Sequence, residues 1–202
     1  MSKRRTYTFT LILAGAAEIT EEIADRLFGA GCDDALLGSR DGVTFLDFDR
    51  VGDSLEATIK SAIRDVQTAG LKVARVEPDD LVNAAEIARR LKRTRESVRQ
   101  LVAGTRGPGG FPPPVSSVTG SSPLWRWAEV ARWITEHRLV ADRSDVLDAA
   151  ETIAKLNAVL EMRRMASSLT EVQELWRAFQ TGVAKSKTKT RKSRPASQPV
   201  VV

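Results

Sequence analysis

Between Gly104 and Pro114 eight of the eleven residues are glycine or proline. No helix and no central strand can run through such a stretch, because proline lacks the amide donor and glycine is costly to order. Gly104–Gly110 is therefore expected as a loop, and Phe111–Val115, with three consecutive prolines, as an extended segment. Whatever lies on either side must be built from separate short elements.

Upstream, Asn83 precedes Glu86 by three residues, a capping-box spacing that opens a short helix over Ala84–Leu91. Ile87, Ala88 and Leu91 form its apolar face. Lys92-Arg93-Thr94 is a tight connection, and Thr94 is expected to cap a second helix, Arg95–Ala103. Val98, Leu101 and Val102 cluster on one side of that helix. At 100° per residue Glu96 and Gln100 point the other way, with Ser97 and Arg99 on the flanks. Two short helices, a three-residue turn and a polar outer face meet the geometric demands of a major-groove reader. Downstream, Ser116–Pro123 reads as a polar tip, Leu124–Trp127 as a returning strand, and Ala128–His137 as a helix packing Val130, Trp133 and Ile134. Phe111, Trp125 and Trp133 are expected in the core of this small domain rather than as stacking platforms.

This run, from about Leu81 to His137, resembles the MerR-like winged-helix domains of the AlpA/excisionase type. In that family a Gly-Phe-Pro-x-Pro segment leads into a wing, and a Trp-Arg strand precedes a helix bearing Glu-Val/Ile and a Trp. Here those parts are Gly110-Phe111-Pro112-Pro113-Pro114, Trp125-Arg126, Glu129-Val130 and Trp133-Ile134. The resemblance covers a little over a quarter of the chain and implies a winged helix-turn-helix that binds double-stranded DNA in regulation or recombination. Trp127 departs from the family, which usually has a polar residue there. The tip Ser116–Pro123 is poor in basic residues, which argues against a strong wing–phosphate contact.

Base readout is expected from Arg95 and Arg99 at guanine edges, with phosphates as their alternative, from Gln100 at adenine and from Glu96 at cytosine. Arg89, Arg90, Lys92, Arg93, Thr94, Arg106 and Arg126 are expected to contact phosphates, which supply affinity without sequence information. Two other readings stay open: an excisionase- or antitoxin-like architectural DNA binder, and a winged helix used for protein interaction beside a ligand-sensing or adaptor domain.

The N-terminal part follows a different grammar. Tyr7, Phe9, Leu11 and Leu13 alternate along a strand, and Ile19, Ile23, Ala24, Leu27 and Phe28 mark a helix that Gly29-Ala30-Gly31 ends. Ala35–Ser39 and Val43–Val51 form a hairpin around Arg40-Asp41-Gly42, since Asp-Gly favours the tight turn. Asp53 and Glu56 have capping-box spacing before a helix carrying Leu55, Ile59, Ala62, Ile63 and Val66, and Leu71–Val76 is a last strand. The order β-α-β-β-α-β predicts an α+β fold with a ferredoxin-like N-terminal domain. Asp47 and Asp49 share one side of their strand; a solvated sheet surface is preferred over a metal or acid–base pair.

Charge is segregated in the same way. Residues 7–80 carry a net −8 and residues 81–141 a net +6. A basic N-terminal arm (1–6) precedes them. A helical region (142–182, net −2) and a disordered basic tail (183–202, net +6) follow. In the helical region Val146–Arg164 and a helix capped by Ser168 and Glu171 carry apolar faces that must pack on the winged domain or on a second subunit. A homodimer, or a protein partner through these helices or the N-terminal domain, is therefore admitted. The tail is expected either to hold DNA non-specifically or to serve as a solubilising end.

Cys32 and His137 are the only residues of their kinds, so an intrachain disulfide, a cysteine-based metal cluster and a two-histidine metal site are excluded. Both are expected in bland roles, Cys32 as a partly buried spacer and His137 as a solvated residue near a helix C-terminus. No phosphate-binding glycine loop of the G-x-x-x-x-G-K-[ST] type is present. An enzyme and a cofactor are not expected. No run approaches the ~18 apolar residues of a membrane span, and the expected location is cytoplasmic, at the nucleoid.

Overall fold

Alternation along β1 (Arg5–Leu13) puts Phe9, Leu11 and Leu13 on one face, where all three are buried. β1 lies at the centre of a four-stranded antiparallel sheet, described with the rest of the chain by a computed structural model covering residues 4–15, 19–139, 143–166 and 168–187. The strand order is β2 (Ala35–Arg40), β3 (Val43–Gly52), β1, β4 (Val73–Glu77), so the fold is mixed α+β. Between the strands run α1 (Glu21–Gly29) and α2 (Leu55–Thr68). They cover the apolar face of the sheet through Leu27, Ile59, Ala62 and Val66. Each fully buried Leu, Ile or Val of this kind contributes roughly 1.5–3 kcal/mol.

Three details depart from the sequence expectation. Ser54, not Asp53, caps α2, accepting from the Ala57 amide at 3.2 Å, while Asp53 lies in an exposed ion pair with Arg4. Both residue types suit a cap, and adjacent candidates cannot be separated by spacing alone. Ile19 precedes the cap Thr20 and is exposed, and Phe28 is 70% exposed, because it lies a further 100° round the helix from buried Leu27. On the open face of the sheet, Asp47 and Asp49 accept hydrogen bonds from the cross-strand Thr10 and Thr8 at 2.6 and 2.7 Å. Among the described residues no group of three His, Cys, Asp or Glu could hold a metal ion.

Arg50 is the one arginine of β3 and points into the core face, 8% exposed. Its Nε and Nη2 donate to both oxygens of Asp34 at 2.7 Å, and Nη2 reaches the Gly31 carbonyl at 2.5 Å. Nη1 donates to Asp65 at 2.5 Å and Ser61 at 3.2 Å. One buried cation thus ties the loop after α1 to α2. Beside it Cys32 is buried, and desolvation pushes its thiol up to about 11.

A second core follows β4. β5 (Leu81–Val82) pairs with β6 (Trp125–Arg126), and α3 (Ala84–Arg90), α4 (Arg95–Val102) and α5 (Trp127–Glu136) surround Val82, Ile87, Val98, Leu101, Val130 and Ile134. β5 is not foreshadowed by the sequence pattern, and Trp127 starts the helix instead of ending the strand. α6 (Arg143–Met165) serves both cores: Ala150 packs in the second, Ile153 and Leu160 in the first. Its Asn157 accepts from the Val76 amide at 2.8 Å and donates to the Val76 carbonyl at 2.9 Å. That amide mimics a neighbouring strand and closes the β4 edge.

By contact density the chain divides after Glu161. Taken by itself, the second unit contains the end of α6 and α7 (Leu169–Lys187), whose first turn is capped by Ser168 accepting from the Glu171 amide at 3.2 Å. α7 runs five residues into the segment expected to be a disordered tail; residues 188–202 of that tail lie outside the described residues, as do residues 1–3 of the basic arm. Among the described residues no helix is long and apolar enough to cross a membrane.

Candidate nucleic-acid interface

The pair α3 and α4 forms because the first turn of each helix is satisfied locally. Asn83 accepts from the Glu86 amide at 2.9 Å and Thr94 from the Ser97 amide at 3.1 Å, so each helix has its side-chain cap. Lys92 takes up a left-handed conformation, φ 51°, which reverses the chain in three residues. Val98 and Leu101 turn inward and are buried, whereas Val102, expected beside them, is 39% exposed.

The outer face of α4 carries Arg95, Glu96, Arg99 and Gln100. Arg99 donates from Nε and Nη2 to both oxygens of Glu96 at 2.8 Å, and Gln100 donates to the same carboxylate at 3.2 Å. The hydrogen bond from Arg99 holds the Glu96 carboxyl below its usual range. Three of the four expected base readers are thus engaged with one another. Arg95 has no side-chain partner among the described residues.

The expected phosphate contacts divide into two groups. Lys92, Arg93, Thr94 and Arg106 come together around a cleft of about 810 Å³ at the start of α4, completed by Ser97, Leu101, Gly107 and Leu139. Among the described residues no carboxylate lines it. Lys92 and Arg106 have no side-chain partner among the described residues, and Arg93 only a 3.4 Å contact to the Leu139 carbonyl. Helix N-termini add partial positive charge, so the cleft is suited to an anion.

Arg89, Arg90 and Arg126 lie outside this cleft. Arg89 is exposed and paired with Glu86 at 2.6 Å. Arg90 is a fold residue: its side chain is only 10% exposed, it donates to Glu86 at 2.7 Å and the Asp79 carbonyl at 2.8 Å, and it stacks 5.0 Å from the Trp127 ring. Trp127 is itself buried in the second core. The two arginines hold the Glu86 carboxyl down to about 2.

Arg126 donates to Asp80 at 2.9 Å. Asp80, 4% exposed, replaces the missing side-chain cap of α5. Its backbone carbonyl accepts from the Trp127 amide at 2.6 Å and its carboxylate from the Ala128 amide at 3.2 Å. No local signal could have found it, since it lies more than forty residues away in sequence.

Two indoles fix the glycine/proline loop. Trp133 donates to the Gly109 carbonyl at 3.1 Å and Trp125 to the Pro112 carbonyl at 3.0 Å, with Phe111 packed edge-on against both rings. A side chain at Gly107, φ 89°, would meet Leu101 at 2.7 Å, so only glycine lets the loop close over the α4 core. The loop therefore holds Arg106 over the start of α4. Beyond it, Val115 and Ser116 meet Leu124 in a minimal ladder, and the tip itself carries no Lys or Arg. His137 ends α5, its Nδ1 donating to the Trp133 carbonyl at 2.8 Å.

Comparison with known proteins finds no matching family model, no matching curated relative and no matching solved structure.

Proposed function

We propose that the chain is a non-enzymatic DNA-binding protein in which α3, α4 and the following loop and ladder act as a winged helix-turn-helix of the AlpA/excisionase type. The ferredoxin-like sheet domain is its acidic companion. What supports this reading above all is the cleft at the start of α4. Lys92, Arg93 and Arg106 converge there with no carboxylate in the lining among the described residues, beside a helix that carries Arg95, Glu96, Arg99 and Gln100 on its outer face. A duplex phosphate seated in the cleft would fix the chain's register and lay α4 along the major groove. Arg95 is the base reader free to act at once; Arg99 and Gln100 must first leave Glu96. That mutual engagement favours backbone-dominated binding, as in an architectural factor, over a strongly base-selective regulator.

Equilibrium binding of the full chain to a labelled duplex across a salt series tests this. The logarithm of affinity is expected to fall linearly with the logarithm of salt. The triple variant Lys92→Ala/Arg93→Ala/Arg106→Ala should reduce the slope by about 3 while leaving the melting temperature in place. A companion chain ending at Lys187 measures the share of the basic tail. Absence of duplex binding at about 50 mM salt ends the reading, and an unchanged slope in the triple variant removes the cleft from it.

A further inference from the structure

In α7, Leu169, Val172, Trp176 and Phe179 recur at intervals of three, four and three residues, the spacing of a two-stranded coiled-coil seam. In the sequence Val183 continues the interval. Leu169, Trp176 and Phe179 are 81, 64 and 70% exposed. A 19-residue helix is marginal by itself, and one that leaves two aromatic rings in water gains nothing from its apolar face.

The charges on the same helix identify the occupant. At 100° per residue the stripe centres between Val172 and Trp176; Glu174 lies opposite, and Glu171 and Arg177 about 120° away. From Leu169 to Gln180 the positions bordering the seam are Gln173, Leu175 and Gln180, all uncharged. In a coiled coil those bordering positions decide which partner is accepted, and like charges there exclude a second copy. Here nothing opposes self-pairing, while a partner chosen by charge would find no complement. Leu175, 55% exposed, widens the apolar seam on one side.

We propose that α7 pairs with α7 of a second copy of this chain, burying Leu169, Val172, Trp176 and Phe179 in a two-helix seam that makes the protein a homodimer. This rests on α7 alone and stands whether or not the chain binds DNA.

Sedimentation equilibrium of the full chain from about 1 to 100 μM, a range suited to a short seam, is expected to show a transition from 22.1 kDa to twice that mass. Leu169→Glu/Phe179→Glu places charge in the seam and should raise the dissociation constant at least about 100-fold. Thr170→Gln/Glu174→Gln, on the far side, should leave it unchanged. Both substituted seam residues are exposed, so no core is disturbed, and circular dichroism checks that the fold persists. Trp125, Trp127 and Trp133 are buried, so dissociation should shift emission to the red through Trp176 with the same midpoint, and Trp176→Phe should abolish that shift. A chain that stays monomeric throughout overturns the proposal and gives the face to a different protein. A dimer that survives the seam variant, or dissociates with no change at Trp176, overturns it by placing the interface elsewhere.

Discussion

The two cores of the first unit use charge in opposite ways. Around the sheet, Arg50 is buried and every part of its guanidinium meets an oxygen, and the exposed Asp47 and Asp49 are answered by threonines across the strand. Around α4, Lys92, Arg95 and Arg106 stand at the surface with no side-chain partner among the described residues. A cation that the fold uses has its oxygens arranged about it, and one kept away from carboxylates is available to something outside the chain. A related contrast runs through neighbouring residues of one helix pair: buried Arg90 is held through Nε and Nη2 by Glu86 and the Asp79 carbonyl while its Nη1 has no partner, and Arg93 faces the cleft.

The contrast is broken most directly at Arg50. Arg50→Ala leaves Asp34 and Asp65 facing each other without their cation and should cost about 3–5 kcal/mol in a urea unfolding series. Lys92→Ala or Arg106→Ala should move stability by less than about 0.5 kcal/mol. Equal losses at the two sets would erase the distinction between cations of the fold and cations of the surface.

Asp80 tests whether the second core also depends on one buried charge. Asp80→Ala removes the carboxylate acceptor of the Ala128 amide and the partner of Arg126. The expected loss is about 2 kcal/mol. Because Arg126 is half exposed, Arg126→Ala should cost much less, and a reversed order would show that the ion pair, not the cap, matters.

Glu86 sharpens the comparison through pH. Its carboxyl is held down to about 2 by Arg89 first and then Arg90, so its folded value lies below its unfolded value near 4.3. The stabilisation is complete above about pH 5 and is lost as pH falls towards 2. The expected contribution is about 2 kcal/mol, reduced from the full linkage value because the side chain is 28% exposed. In Glu86→Gln that part of the acid limb of a stability–pH curve should flatten. A limb of unchanged steepness would place the acid sensitivity elsewhere.

Local chemistry made much of this legible. Asn83, Thr94 and Ser168 cap helices because a cap and its amide are three residues apart, a distance that spacing can read. The alternating strand β1 and the Asp-Gly hairpin declared themselves for the same reason. What escaped was non-local or ambiguous by residue type. β5 is two residues long and exists only through Trp125 and Arg126; Asp80 caps a helix far along the chain; and nothing in the string Arg89-Arg90 says that the second arginine is buried on Trp127. In the candidate site the sequence pattern named the basic residues, but their sorting into three that gather with Thr94 at one cleft and three that do not depends on packing of the glycine/proline loop. That loop is held by two indole hydrogen bonds that no periodicity encodes.

The smallest effect is expected at Glu96, where the two uses of charge meet on one exposed turn. Glu96→Gln removes the acceptor that engages Arg99 and Gln100 without touching a buried contact, so the melting temperature should not move, as for most exposed pairs. Arg99 is then released, and one negative charge leaves the face that would approach a duplex. Affinity for arbitrary duplex DNA should rise by about threefold, with a slightly steeper salt slope. Were Glu96 instead a reader of cytosine, the same substitution would leave non-specific affinity unchanged and lower the preference for one sequence. The salt series and a pair of competing duplexes distinguish these outcomes, because release of Arg99 acts on every sequence alike and loss of a base contact acts on one.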